Sequence, residues 1–504
     1  MRPLESVPAG LGPGRRGVAA PRDPTKPVDT HAAPAHRRAP TSRDATRPPG
    51  ADAAPPVLGD PPPLDASTPQ ADVAAPAVGA SRACLGQHGA AKLHALALAM
   101  LAVTAHAGGR ARYGGTLPVA IVTKSVEARP LLADTPPDAV ALFATRSPLC
   151  QLVELSSPAA GLVRLSPRPG VSADDVVEAL ARVGSASSPY RALLSGVTSW
   201  KKSPQGVELS LNGPTADLPR ALCHPAFAAL PGPFRGASPL QAVPEHPAGR
   251  PFLDAVTLAT ADARGAERLL AQRKAHLVVG ATTTDDAPQL FVTVLVFPPA
   301  LAPHLPLALE SAVDRGDLVR FFLRPPSAPM PGLLPASLGG ALEPAARPAR
   351  PAPLSPAREV TVAFDASSDA EPAIAERLQV KLQPLGYRVA LKGAARDVIR
   401  ARAATATELT LQSLLLPASP TAALAVLLDA AGQRARLPQV LASIASASDA
   451  DARARELAVE LLPQLPLVPL ATRGVGLSAV KDLQHVTRDP LGLPRLDELF
   501  YAAE

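Results

Sequence analysis

Aromatic side chains are scarce in this 504-residue chain, at 3% of positions, and the first 112 residues contain no Phe, Trp or Tyr. Proline and small residues fill that stretch, as in PPGADAAPPVLGDPPPLD (Pro48 to Asp65). Such a segment cannot bury enough apolar surface to offset the entropy of ordering it, so residues 1–90 are expected to form a disordered leader. Asparagine is almost absent as well, with Asn212 alone, while proline reaches 61. This skew fits a GC-rich genome, and proline is therefore not read as a disorder signal wherever hydrophobic periodicity persists.

Catalytic signatures are also missing. There is no G-x-S-x-G, no P-loop and no H-E-x-x-H. Ser199-x-x-Lys202 and Ser478-x-x-Lys481 match the acyl-serine pattern without its partner motifs. Gly474 to Ala479 fits a loose dinucleotide pattern, but only 25 residues remain after it, too few for the βαβ unit that motif needs. The five histidines beyond the first 107 residues (His224, His246, His276, His304, His485) stand apart, without metal-site spacing. Asp174-Asp175 reads as a helix start and Asp285-Asp286 as a loop. A non-enzyme without cofactor or metal is expected.

Charge is divided unevenly. Of 50 Lys+Arg and 44 Asp+Glu, 13 and 8 fall in residues 1–112, leaving 37 and 36 beyond. A near-neutral body without a basic stripe argues against nucleic acid as partner. Lys92 precedes the apolar run LHALALAMLAV (Leu93 to Val103) and then Ala105-His106-Ala107. This is the pattern of a secretory signal peptide, placed at 91–107, and too short for a span of about 20 residues. Either translation begins near residues 85–92, or a cytoplasmic extension precedes an uncleaved anchor. Past that point only Cys150 and Cys223 remain. They either pair in an oxidising compartment or sit as small buried apolar residues.

From Thr116 onward strands and helices alternate. The PVAIV run beginning at Pro118 reads as a strand, and SADDVVEALARVG (Ser172 to Gly184) as a helix with a Ser172–Asp175 capping box. Trp200 to Asn212 reads as a strand and Leu218 to Leu230 as a helix. LDAVTLAT, a helix from Asp262 and HLVVG then form a strand–helix–strand unit. LFVTVLVF (Leu290 to Phe297) is a near-continuous apolar run of the kind buried on both faces. Leu309 to Leu323 gives two short helices jointed at Asp314, which caps the second, with Pro325-Pro326 as the stop. EVTVAFD, a helix capped by Asp369 and YRVAL make a βαβ unit. ELTLQSLLL, a helix at 421–431, PLVPLATR and LDELFYAAE complete the chain.

Several of these stretches together resemble the extracytoplasmic substrate-binding proteins of peptide and nickel ABC importers (solute-binding family 5). They are Tyr113-Gly114-Gly115-x-Leu117; Ala173 to Val176 after LVRLSPRPG; Gly236 and Pro239 in FRGASPLQ; the Asp314-Arg315 joint; Ile374, Ala375, Leu378, Gln379, Leu382 and Gly386; PLVPLATR; and the LDELFY tail. The resemblance implies an α/β, two-lobed, type II periplasmic-binding-protein-like fold with mixed sheets and a hinge. Lobe 1 would take 108–305, lobe 2 306–465, and 466–504 would return to lobe 1, with Asp314 at the crossing. It further implies a periplasmic monomer that binds a peptide-like or other small polar solute in the cleft and hands it to a membrane permease. Family members that grip peptides usually present an acidic residue beside a proline where this chain has Ser419-Pro420. Ser238, Ser419 and Arg473 are the candidate substrate-binding residues. The alternative is a degenerate exported paralogue acting as a protein-interaction or sensory module.

Overall fold

The structure is a computed structural model. It describes residues 111–502 apart from 113, 231–233, 239–240, 245–251, 284–285, 299–303, 342–348, 350 and 403–407. All described residues belong to one compact unit, Gly86–Glu504. The expected leader (1–90) and signal peptide (91–107) lie outside the described residues.

β1 (Ala111–Arg112) and β2 (Thr116–Val122) open the body and α1 (Pro136–Thr145) comes after them. β3 (Val153–Ala159) and β4 (Leu162–Pro167) lead to α2 (Ala173–Gly184), where Ser172 and Asp175 form the expected capping box. Val176, Ala179, Leu180 and Val183 bury its apolar face. The stretch expected as one strand from Trp200 is a hairpin, β5 (Val197–Ser203) and β6 (Gly206–Leu211). Its turn holds Gly206 at φ 129, where a Cβ would lie 2.2 Å from the Leu165 carbonyl oxygen. The expected helix 218–230 shrinks to one turn at Leu218–Ala221 and a 3-10 turn at Pro225–Phe227. Pro225 has no N–H to donate and disfavours helix at His224.

β7 (Phe234–Ser238), β8 (Gln241–Pro244), β9 (Ala255–Ala261), α3 (Ala263–Ala271) and β10 (Leu277–Val279) finish the first sheet's main run. β11 (Phe291–Val296), α4 (His304–Ala312), α5 (Arg315–Phe322), β12 (Ser327–Pro329), β13 (Arg358–Asp365), α6 (Glu371–Leu382) and β14 (Tyr387–Ala394) come next. α7 (Arg396–Arg402), β15 (Leu409–Leu415), α8 (Pro420–Ala430), α9 (Leu437–Ala445) and α10 (Ala450–Leu461) precede β16 (Leu467–Arg473) and β17 (Leu477–Ala479). β18 (Leu483–Gln484) and β19 (Phe500–Ala502) end the chain.

Two six-stranded mixed sheets organise these elements. The first runs β17-β10-β2-β9-β8-β7 and the second β12-β16-β11-β15-β13-β14. A four-stranded sheet, β3-β4-β6-β5, stands beside them. β2 feeds two cores by its period of two: Leu117, Val119 and Ile121 enter the large core, and Ala120 and Val122 a small one with Ala266 of α3. β11 is buried along its length, with Val292 and Val294 in the large core and Leu295 in a second core under α4 to α6. The expected α/β two-lobed architecture is thus present.

The boundaries within it differ from those expected. β11 pairs with β15 and β16, so the chain enters the second sheet between Val279 and Phe291, not near residue 305. β16 also belongs to the second sheet, and only β17 returns to the first, against β10. α4 and α5 therefore cover the second sheet and do not form the crossing. α8, α9 and α10, expected in the second lobe, pack into the large core with residues 117–229. Asp314 does cap α5, accepting the Asp317 N–H at 3.0 Å. Asp369 does not cap α6. The Ser368 hydroxyl does so instead, accepting from Ala370 and Glu371.

The two sheet-to-sheet passages run side by side. Gly280 N–H donates to the Gly476 carbonyl at 2.8 Å, and Gly474 N–H to Pro326 at 2.7 Å. A Cβ at Gly476 would lie 1.9 Å from the Ala281 oxygen, so glycine is needed for this approach. Cys150 and Cys223 are joined in a disulfide, which decides between the two readings of the pair. Among the described residues, no helix is long and apolar enough to cross a membrane.

Candidate ligand cavity between the two sheets

A cavity of about 420 Å³ lies where the carboxyl ends of strands from both sheets meet. Val122 and Thr123 end β2, Gly280 comes just after β10, Ser367 to Ala370 come after β13, and Arg473 closes β16. Open α/β sheets place ligands at such strand ends. The wall also takes in Ser125 to Glu127, the N-terminal turn of α1, the end of α5 with the residues after it (Phe322 to Pro325), and Gly474 and Gly476. The volume lies in the lower part of the range for small-molecule sites.

One wall is a buried ionic network that joins the lobes. Thr135 caps α1: its Oγ1 accepts from Asp138 N–H at 3.5 Å and donates to Asp138 Oδ2 at 2.5 Å. Asp138 also accepts the Glu127 N–H at 2.6 Å. Arg396, the first residue of α7 and 9% exposed, reaches across with Nη1 to Asp138 Oδ2 at 2.6 Å and the Leu132 carbonyl at 2.8 Å. Its Nε donates to Asp365 Oδ2 at 2.7 Å, and Asp134 Oδ1 lies 3.4 Å from Nη1. Arg400, one turn on, pairs with Asp134 and donates to the Ser413 carbonyl.

Burial works against the Arg396 charge, but Asp134 and Asp138 outweigh it and raise its pKa. Asp134 is fully buried, and burial pushes its pKa up in spite of Arg400 and Arg396. For Asp365, burial raises while hydrogen bonds from Ser367 and Arg396 lower, and the net direction is down. Glu371 sits behind the wall, accepting from Asp365 N–H and the Ser413 hydroxyl, both at 2.8 Å. Burial lifts its pKa to about 7.

The three expected ligand residues are dispersed. Arg473 lines the cavity, and burial depresses its pKa. Ser419 is fully buried and absent from the lining: it caps α8, accepting Ala422 N–H, and donates to Asp217 Oδ2 at 2.6 Å. With both partners in place the hydroxyl is engaged within the protein, away from the cavity. Ser238 ends β7, opposite Gln241 at the edge of the first sheet. Sequence reading missed Arg396, Asp138, Asp134 and Glu371. The Thr135-x-x-Asp138 spacing was an available signal, since it is a capping pattern. Among the described residues, no group of three His, Cys, Asp or Glu side chains could hold a metal ion.

Fold and cavity together give a two-lobed α/β architecture with a cavity between its two main sheets. Solved structures share that fold. DppA from Helicobacter pylori, an ABC transporter-associated periplasmic binding protein in complex with peptide STSA, superposes with a TM-score of 0.61 at 15% identity. The match covers 78% of this chain and 99% of that one. The murein tripeptide binding protein MppA of Escherichia coli gives 0.60 at 15%, covering 77% and 99%. AgaA from A. tumefaciens R10, in complex with agropinic acid, gives 0.60 at 16%, also covering 77% and 99%. The likeness at this identity is one of fold, and the expected resemblance to the peptide/nickel-binding proteins holds at that level. No protein-family model and no curated protein matches the chain.

Proposed function

We propose that this chain is an extracytoplasmic solute-binding protein. It takes a peptide-like or other small polar solute into the cavity between its sheets and delivers it to an ABC permease. The observation that carries this reading is the cavity itself, lined by strand ends from both lobes. A ligand held by both lobes stabilises their closed arrangement, and the paired passages at Gly280 and Gly474–Gly476 supply a hinge. Chemistry on the solute is not required for delivery, and the neighbours in fold are named as binding proteins. The disulfide accords with export, and the protein acts as a monomer.

Native mass spectrometry of protein taken from its own cells tests this. A co-purifying small molecule, displaced on denaturation, is the expected result. A protein partner with no small molecule would favour the interaction module.

A further inference from the structure

Resting on that reading, we infer that the solute carries a carboxylate or similar oxyanion and that Arg473 is the residue that selects it. Arg473 and Arg396 both line the cavity, but their surroundings differ. Arg396 is shared among Asp138, Asp365 and Asp134. Arg473 has no carboxylate within ion-pair distance among the described residues. Its one hydrogen bond, from Nη2 to Ser413 Oγ, is long at 3.3 Å, and its buried Nε has no partner. Ser413 is already committed as a donor to Glu371 Oε1, so it offers Arg473 only a lone pair.

A guanidinium keeps its charge in proteins and presents five donors in a planar fork that matches an oxyanion bidentately. Arg473 is half-buried, and leaving its buried Nε without an acceptor is costly, a cost that an arriving anion relieves. Glu371 acts on Arg473 through space but makes no ion pair with it, being held by Asp365 N–H and the Ser413 hydroxyl. Asp369 shares the lining but is exposed, where solvent screens it. The other carboxylates of the lining are already paired, Glu127 with Arg129 and Asp138 with Arg396.

The probe is the small-molecule extract of the host cells, split on an anion exchanger run well above the α-amino pKa of about 8, so that zwitterionic peptides are retained with the other carboxylates, into an acidic pool and a flow-through pool. Melting of the purified protein is tracked in each pool. The acidic pool should raise the wild-type midpoint. The same shift in Arg473→Gln should need at least about 30-fold more extract, the ratio for truncating one partner of a buried charged pair. Arg473→Lys, which keeps the charge and loses the fork, should fall between, and it replaces the glutamine variant if that fails to fold. A shift from the flow-through pool alone, or equal shifts in wild type and Arg473→Gln, overturns the anion assignment and leaves solute binding standing. If neither pool shifts the wild type, the solute-binding reading falls with it.

Discussion

Replacing Arg396 by methionine removes the cation that ties the lobes while keeping the aliphatic stem that fills its space. The change deletes hydrogen bonds to Asp138, Asp365 and the Leu132 carbonyl, all between 2.6 and 2.8 Å. Asp134, Asp138 and Asp365 are each at most 3% exposed, and Arg400 is left to oppose them. Removing one partner of a buried pair costs about 3–5 kcal/mol, because the other charge stays in low dielectric. That is a large share of a total stability of about 5–15 kcal/mol. Urea unfolding at pH 7 should show a midpoint lower by about 1 M, with a denaturant slope of about 3 kcal/mol per M. Adding Asp138→Asn should recover at least about 1 kcal/mol, since the stranded carboxylate goes with it. The gap between wild type and variant should narrow in acid as the stranded carboxylates take protons. A loss below about 1 kcal/mol, or strict additivity with Asp138→Asn, would refute the claim that these charges hold one another.

Glu371 gives a prediction in pH. Its folded pKa of about 7 lies above the ordinary 4.5, so its contribution is fully present below pH 4.5 and lost as pH rises through 7. Glu371→Gln should remove about 3 kcal/mol of pH-dependent stability across that window, read as the difference between the two unfolding curves. If the two proteins keep parallel pH profiles, burial of this carboxyl is misjudged. The Cys150–Cys223 disulfide closes a loop with a separation of 73 residues. Reducing it, or replacing both cysteines by serine, should cost about 4 kcal/mol by the loop-entropy relation, measured by urea unfolding with and without reductant. Ser419→Ala should cost about 1–2 kcal/mol through the lost α8 cap and the bond to Asp217, with solute-induced stabilisation unchanged. A large loss of that stabilisation would return Ser419 to the ligand site.

Signals written within one element were legible in the sequence. Ser172 with Asp175, and Asp314 with Asp317, needed only the rule that a helix start lacks acceptors for its first N–H groups. The apolar run of β11 announced burial on both faces. That same run was silent about its partners. A strand buried on both faces fits either sheet, and so the passage between lobes was placed near residue 305. Ser419 shows the complementary failure. A serine before a proline at a helix start is first a cap, and its likeness to a ligand position concealed that local role.

The cavity wall was the least legible part, for a reason that applies to buried ionic networks generally. Asp138 and Arg396 stand 258 positions apart, and each taken alone resembles a polar residue in the first turn of a solvent-facing helix. Nothing local marks them as partners, because the desolvation that makes their pairing matter exists only once two lobes enclose them. Arg473 stands at the end of the apolar strand β16 and is a candidate through the resemblance. What separates it from Arg396 is the number of acceptors around each guanidinium, which the folded chain alone sets. One arginine is consumed in holding the lobes and the other is left with donors to offer. That division fits a structural role for Arg396 and underlies the recognition role proposed for Arg473.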